Sequence, residues 1–391
     1  MKRLAIITTH PIQYYAPLFR LLNERNKIGI KVFYTWEKEA ETYDVDFGRE
    51  VKWDIDLLSG YDYRFVSNKG SPRRDFLGVK NPDLIKEIEE WKADAVLVFG
   101  WNYRSHLRVM RHFKNKLPVL FRGDSTLLDE RPGWKKTARR IFLRRIYRHI
   151  DHGLYVGTNN REYFRAAGLR EDQLFFAPHA IDNERFYDKE GQYAQEAGKI
   201  REELGVTRGE VLFTFVGKFQ EKKDPLLLLQ AFEGLGRTDA HLLLVGNGEL
   251  EMALKEEALK KEAKGNKRIH FLPFQNQSKM PVVYRIGDVF CLPSKGPGET
   301  WGLAVNEAMA CGRPVLVSDR CGCAVDLVVN GKNGAIFKSG DSEDLLDKLG
   351  RFLEEKDSLG SKGRESAAMI GEWSYEQCVP VIEKIVLNGK A

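Results

Sequence analysis

The stretch DVFCLPSKGPGETWGLAVNEAMACGRPVLVSD, Asp288 to Asp319, decides how the chain should fold. It opens on an apolar run, Val289 to Leu292, and closes on another, Val315 to Val317. Neither run alternates with polar residues, which is the pattern of strands buried on both faces of a parallel sheet. Between them, Gly302 to Ala310 has helical composition and is closed by Gly312, a common helix terminator. Strand, helix and strand joined by short loops form a βαβ unit, so the sheet is parallel with helices on its faces.

The same alternation runs outward in both directions. Strand-like runs stand at 4–8, 30–36, 94–100, 117–121 and 153–157, and again at 211–217, 241–246 and 268–274. Helical patterns at 17–25, 81–91, 224–234, 248–263 and 281–286 fall between them. At about 150 residues per domain, 391 residues favour two domains. A charged, apolar-poor segment between Ile181 and Gly209 reads as a linker with an exposed helix. The expected fold class is α/β, with two doubly wound, Rossmann-like domains facing across a cleft. The expected boundaries are 1–180, 181–372 and a last helix at 373–391 that crosses back to the first domain.

Composition narrows the class. Hydrophobic content of 42% and aromatic content of 11% can fill two cores, so disorder is not the default. No apolar run is long enough to span a bilayer, and Leu4–Ile7 is too short for a secretory signal, so a cytoplasmic protein is expected. Five cysteines, at 291, 311, 321, 323 and 378, are an odd set that suits reduced thiols. The CGC at 321–323 lacks metal-site spacing. A net charge of +6 is mild; it suits phosphates or lipid head groups and does not imply nucleic acid.

Ligands of open parallel sheets bind beyond the carboxyl ends of the strands, so the loops there carry the candidates. Glu299 lies in the glycine-rich loop 293–301, and Glu307 follows on the helix. The backbone N–H groups of Trp301, Gly302 and Leu303 open that helix, an arrangement suited to an anion. Glu307 can accept hydrogen bonds from a diol such as a ribose. Spacing alone does not distinguish these acids from two unrelated ones. Gly217 ends another strand and precedes Lys218, Lys222 and Lys223; lysines there can hold a diphosphate or simply face solvent. Gly246 and Gly248 follow a third strand, but Glu251 stands where a dinucleotide fingerprint has its third glycine. His10, Gln13, Tyr14 and Tyr15 follow the first strand, and Arg122 with Asp124 follows another. These either grip a sugar or pack the loops. Finally, 134–150 carries seven Lys and Arg residues around a stripe of Ala138, Phe142 and Ile146 with Ile141 and Ile150. Such a helix can lie on an anionic membrane surface or against a core.

Taken in order, GKFQEKKDPLLLLQAF, LLVGNGELE, FLPF…VVYRIGDVFCLPS and GETWGLAVNEAMACGRPVLVSD resemble the family 4 glycosyltransferases. GTNNREYFRAAGL…APHAIDNERF is similar to that family's passage between domains. The resemblance implies the GT-B fold and a nucleoside-diphosphate sugar donor held by a Glu-x7-Glu pair. Glu299 then contacts the sugar hydroxyls and Glu307 the ribose, with Gly217, Trp301, Gly302 and Leu303 also on the donor. Lys218 and Lys223 stabilise the departing diphosphate. Lys218 stands where Arg is more usual, which keeps the charge and loses the fork. The catalytic set is therefore Lys218, Lys223 and Glu299, with retention of configuration, no metal and no cofactor. His10, Gln13 and Asp124 are the acceptor-side candidates. HPIQYY and RGDS depart from the family's glycine-rich first loop and its histidine, which leaves the acceptor-side catalytic group unassigned. The implied reaction moves a sugar to a glycan or lipid-linked acceptor, in polysaccharide or glycoconjugate synthesis. A non-catalytic nucleotide-sugar binder and a sugar-nucleotide epimerase are the alternatives.

Overall fold

The computed structural model describes residues 1–36, 41–44, 49–71, 75–130, 132–262 and 268–389. The chain divides into two compact units, one of Met1–Thr42, Ile55–Ala180 and Ser374–Ala391, the other of Tyr43–Asp54 and Ile181–Trp373.

The first unit contains β1 (Arg3–Thr8) and β2 (Gly29–Tyr34). Next in the chain, the short strands β3 (Glu41–Asp44) and β4 (Arg49–Lys52) pair with each other; β4 is grouped with the second unit. Then come β5 (Tyr63–Phe65), β6 (Ala95–Phe99), β7 (Val119–Arg122), β8 (His152–Tyr155) and β9 (Leu174–Phe176). The seven-stranded sheet runs β5-β2-β1-β6-β7-β8-β9 and its pairs are parallel. Its central strands are buried along their length, so Val96, Val98, Val119 and Phe121 pack directly against helix residues Leu143, Ile146, Tyr147 and Phe164. The final helix, Tyr375–Asn388, is grouped with this unit; Arg25 holds Glu383 there through two contacts of 2.8 and 3.0 Å.

The second unit contains β10 (Val211–Val216), β11 (Ala240–Val245), β12 (Ile269–Leu272), β13 (Val289–Leu292), β14 (Val315–Ser318) and β15 (Gly334–Phe337). Its six strands run β12-β11-β10-β13-β14-β15, again in parallel. Both sheets reverse their winding beside their first strand. β1 separates β2 from β6, and β10 separates β11 from β13. The loops leaving the two strands at such a reversal diverge, and the crevice between them is where doubly wound sheets bind ligands. In the second unit those loops are 217–224 and 293–302.

Strands β5, β9 and β15 were not expected from the sequence. Each is an edge strand of three or four residues. Tyr63 and Arg64 of β5 face solvent, so no continuous apolar run marks them. The apolar stripe expected over 134–150 is divided. Ile146 and Ile150 enter the core with Leu143 and Tyr147, whereas Ala138, Ile141 and Phe142 face solvent.

Candidate active site

Gly217 leaves β10 with a φ of 157°, and a Cβ there would lie 3.3 Å from Cδ of Lys223. The Lys223 side chain thus folds back across the strand exit. Gly246 and Gly248 make that exit possible from the neighbouring loop. A Cβ on Gly246 would fall 2.0 Å from the Gly217 carbonyl oxygen, and one on Gly248 within 2.6 Å of the Phe219 oxygen. The Phe219 N–H donates to Asn247 O at 2.9 Å. The Gly-x-Gly pair therefore permits one loop to press against another, the tight-turn alternative of the sequence reading.

At the β13 exit, Lys223 Nζ meets Glu299 Oε2 at 2.8 Å, and Ser294 Oγ donates to the same oxygen at 3.1 Å. Burial pushes the Glu299 pKa up, but the Lys223 charge and these hydrogen bonds outweigh it and hold the carboxyl below its ordinary range. Glu299 is therefore a carboxylate at neutral pH, paired with an ammonium. The loops are also joined by the Lys295 N–H donating to Lys222 O at 2.9 Å and by Lys295 Nζ at 3.7 Å from Asp224. Behind Glu299, the Gly322 N–H donates to its carbonyl at 3.2 Å.

Trp301 and Gly302 are buried and Leu303 is half-buried. Gly302 has a φ of 98° and caps the helix Leu303–Ala310, a left-handed turn that an L side chain resists. The first N–H groups of a helix have no intrahelical acceptor, so this terminus presents donors close to Glu299 in the chain. Trp301 is fixed by its indole N–H donating to Asn306 at 2.9 Å and by packing on Trp373. Glu307, one turn further, is buried. Tyr284 donates to its Oε2 at 2.7 Å, and Arg185 Nη2 stands 4.0 Å from Oε1. Arg185 itself donates to Gln277 O and Oε1 at 2.9 and 2.8 Å.

Lys223 and Glu299 are thus in direct contact. Lys218 is half-buried at the β10 exit, with its carbonyl accepting from the Gln220 N–H at 2.9 Å. Glu307 belongs to a separate cluster with Tyr284 and Arg185. None of Ser294, Tyr284 or Arg185 was singled out from sequence. Their importance comes from contacts 5, 23 and 122 positions away in the chain, and no local pattern encodes these.

In the first unit, Thr9 Oγ1 and His10 Nδ1 lie 2.8 Å apart at the β1 exit, and Gln13 is half-buried on the same loop. Asp124 is half-buried beyond β7. Burial first, and then the Asp124 charge, push the Tyr15 hydroxyl up to about 12, against a smaller pull from Arg122. The buried Arg122 guanidinium donates to the carbonyls of Ala177 and Pro178, both at 2.8 Å. Next to them His179 is buried; burial and then Arg122 lower its pKa to about 4, with Asp124 opposing. The structure therefore groups Tyr15, Arg122, Asp124 and His179 at one sheet edge. His179 was missed from sequence, because the short edge strand β9 that precedes it left too short an apolar run to mark a strand exit there. All five cysteines are buried thiols. Among the described residues, no cluster of three or more His, Cys, Asp and Glu side chains is placed to hold a metal ion.

Residues 196–373 match the family model described as glycosyl transferases group 1. This part of the chain is thus similar to a glycosyltransferase group 1 domain. Among sequence relatives, the D-inositol 3-phosphate glycosyltransferase of Nocardia farcinica is 30% identical over 285 residues, covering 71% of this chain and 60% of that protein. The Gordonia bronchialis protein of the same name is 31% identical over 188 residues, covering 46% of this chain and 40% of the relative. The chain therefore spans 60% or less of the length of these relatives. Among solved structures, Anabaena Alr3699/HepE in complex with UDP aligns with a TM-score of 0.73 at 18% identity, covering 99% of this chain and 100% of that one. The sucrose-phosphate synthase of Thermosynechococcus elongatus aligns with a TM-score of 0.73 at 17% identity, covering 99% of each chain.

Proposed function

We propose that this chain is a retaining glycosyltransferase that moves a sugar from a nucleoside-diphosphate sugar to a hydroxyl of a glycan or lipid-linked acceptor. The observation that carries the reading is the Lys223–Glu299 pair, 2.8 Å apart, beside the terminus of the helix Leu303–Ala310. Breaking a glycosyl–phosphate bond builds negative charge on the leaving diphosphate. Lys223, with Lys218 and the N–H groups of Trp301, Gly302 and Leu303, supplies fixed positive potential for that charge. Glu299 is held as a carboxylate, suited to accept hydrogen bonds from sugar hydroxyls. It serves there as a positioning acid, which leaves the attacking hydroxyl to approach from the face of the departing phosphate and give its proton to that phosphate. Glu307, fixed by Tyr284, takes the ribose. His10, Gln13 and Asp124 belong to the acceptor side of the same proposal. The UDP complex of the structural neighbour and the named activity of the sequence relatives support the donor class.

The test is a thermal-shift panel of nucleoside diphosphates, followed by a nucleoside-diphosphate release assay with nucleotide sugars and sugar or lipid acceptors. A rise in melting temperature with one diphosphate, and release that depends on an acceptor, are expected. Epimer formation from donor alone would favour the epimerase. Binding without any turnover would leave a nucleotide-sugar binder.

A further inference from the structure

The helix Trp134–Tyr147 has two apolar sides. Leu143, Ile146 and Tyr147 are buried in the core. Trp134, Ala138 and Ile141 follow one another at i, i+4 and i+7, the spacing of a single helical stripe, and they face solvent with Phe142 beside them. Trp134 is 76% exposed, Ile141 51% and Phe142 54%. The Phe142 ring meets that of half-buried Trp101 at 5.9 Å, which extends the patch beyond the helix. Large apolar side chains aligned in water mark an interaction surface.

The charges carried by this helix itself have one sign. No Asp or Glu occurs in WKKTARRIFLRRIYRHI, 134–150. Lys136 and Arg140, on the flanks nearer the core, pair with Glu130 at 3.3 and 3.4 Å. Lys135, Arg139, Arg144, Arg145 and Arg148 are exposed and border the ridge. The helix Arg104–Phe113 continues the positive field. Burial lowers the His149 pKa, and Arg148, Arg111 and Lys114 lower it further; Lys114, just past that helix, is itself paired with Asp151, so Arg111 is the cation that joins the two segments beside this ring.

We propose that this face docks on an anionic lipid bilayer, with Trp134, Ile141 and Phe142 entering the head-group layer and the flanking cations set against lipid phosphates. The combination selects the occupant. A nucleic acid duplex would use the cations and offer no apolar layer to Ile141 and Phe142. A neutral bilayer would use the ridge and offer the five exposed cations no anionic head group. Of these three, the anionic bilayer is the one that uses both features. This inference stands apart from the transferase reading, since it uses none of the donor-site residues.

The test is flotation of the full chain with vesicles of phosphatidylcholine alone and of phosphatidylcholine mixed with phosphatidylglycerol. The bound fraction should be about ten-fold or more higher on the anionic vesicles, and should fall with added salt. Two variants separate the contributions: Trp134→Ala, Ile141→Ser, Phe142→Ser together, and Lys135→Gln, Arg139→Gln, Arg145→Gln, Arg148→Gln together. Every substituted position is exposed and Leu143, Ile146 and Tyr147 still hold the helix to the core, so both should keep the parent's circular dichroism, with at most a small fall in melting temperature for the ridge variant, which loses the Phe142–Trp101 contact. Each should lose most of the binding. Equal flotation on both vesicle types, flotation on neither, binding undiminished by the ridge substitutions, or a DNA duplex held as tightly as the anionic vesicles overturns the proposal.

Discussion

Glu299 stands between two partners before any ligand arrives, and this sets what its removal should do. Its carboxylate neutralises Lys223 at 2.8 Å and accepts from Ser294 at 3.1 Å. Glu299→Gln keeps the shape and removes the charge that orients the sugar, so turnover should fall about 10²–10³-fold. Affinity for the nucleoside diphosphate should be held or increased, because Lys223 is released to the phosphates. Steady-state kinetics and calorimetry on the same preparation check the split; equal losses in both would remove the division of roles. Glu307 behaves differently. It is buried and accepts from Tyr284 at 2.7 Å, so Tyr284→Phe deletes one bond to a charged acceptor, an interaction of about 1.5–3 kcal/mol. Tyr284→Phe should weaken diphosphate binding with little change in turnover at saturation, and Glu307→Ala should weaken it further. Of these residues, Glu299, Glu307 and Lys223 could be named from sequence, because they stand in short stretches with a family pattern. Tyr284 and Arg185 could not, because burial and distant contact give them their roles.

At the scale of elements, the loops leaving β10 and β13 act as one structure. The Gly246 Cα approaches the Gly217 carbonyl so closely that an added Cβ would lie 2.0 Å from it. Gly246→Ala should therefore push the Lys218–Lys223 loop away from Glu299. We expect a stability loss of about 1–3 kcal/mol in urea unfolding, together with weaker diphosphate binding. Gly298→Ala provides the contrast. Gly298 also has a positive φ, 96°, but nothing lies within 4 Å of the added atom, so only backbone strain should appear. A Gly246→Ala protein with unchanged stability would contradict the close approach. The strands themselves were legible because buried parallel strands are unbroken apolar runs. The edge strands β5, β9 and β15 were not, because an edge strand needs little burial and its pairing is fixed by the strand already in place.

For the whole molecule, buried histidines make stability depend on pH. His106, His179 and His270 have pKa values lowered from 6.5 to about 4, in each case chiefly by burial. A lowered folded-state value means that the unfolded chain takes up protons that the folded chain refuses. Stability is therefore full above about 6.5 and declines as pH falls toward about 4. The loss grows by about 1.4 kcal/mol per pH unit for each such group in that window. Urea midpoints measured from pH 7.5 to 4 should fall over that range, and His270→Gln should flatten the decline for the second unit. A flat profile above pH 5 would show that these rings are not buried as described.

The sequence by itself determined the α/β class, the parallel strands at the centre of each sheet, the glycine-marked exits and the acids and lysines placed on them. These are local properties: apolar runs, helical periodicity and residue types at a strand's end. Tertiary structure decided the rest. It closed Lys223 onto Glu299, put Tyr284 and Arg185 on Glu307, brought His179 beside Arg122, and turned Ile141 and Phe142 outward while Ile146 turned in. Helical periodicity fixes which residues share a stripe, but the side that meets the sheet is chosen by packing. Packing is a competition among distant partners that no short stretch of chain contains.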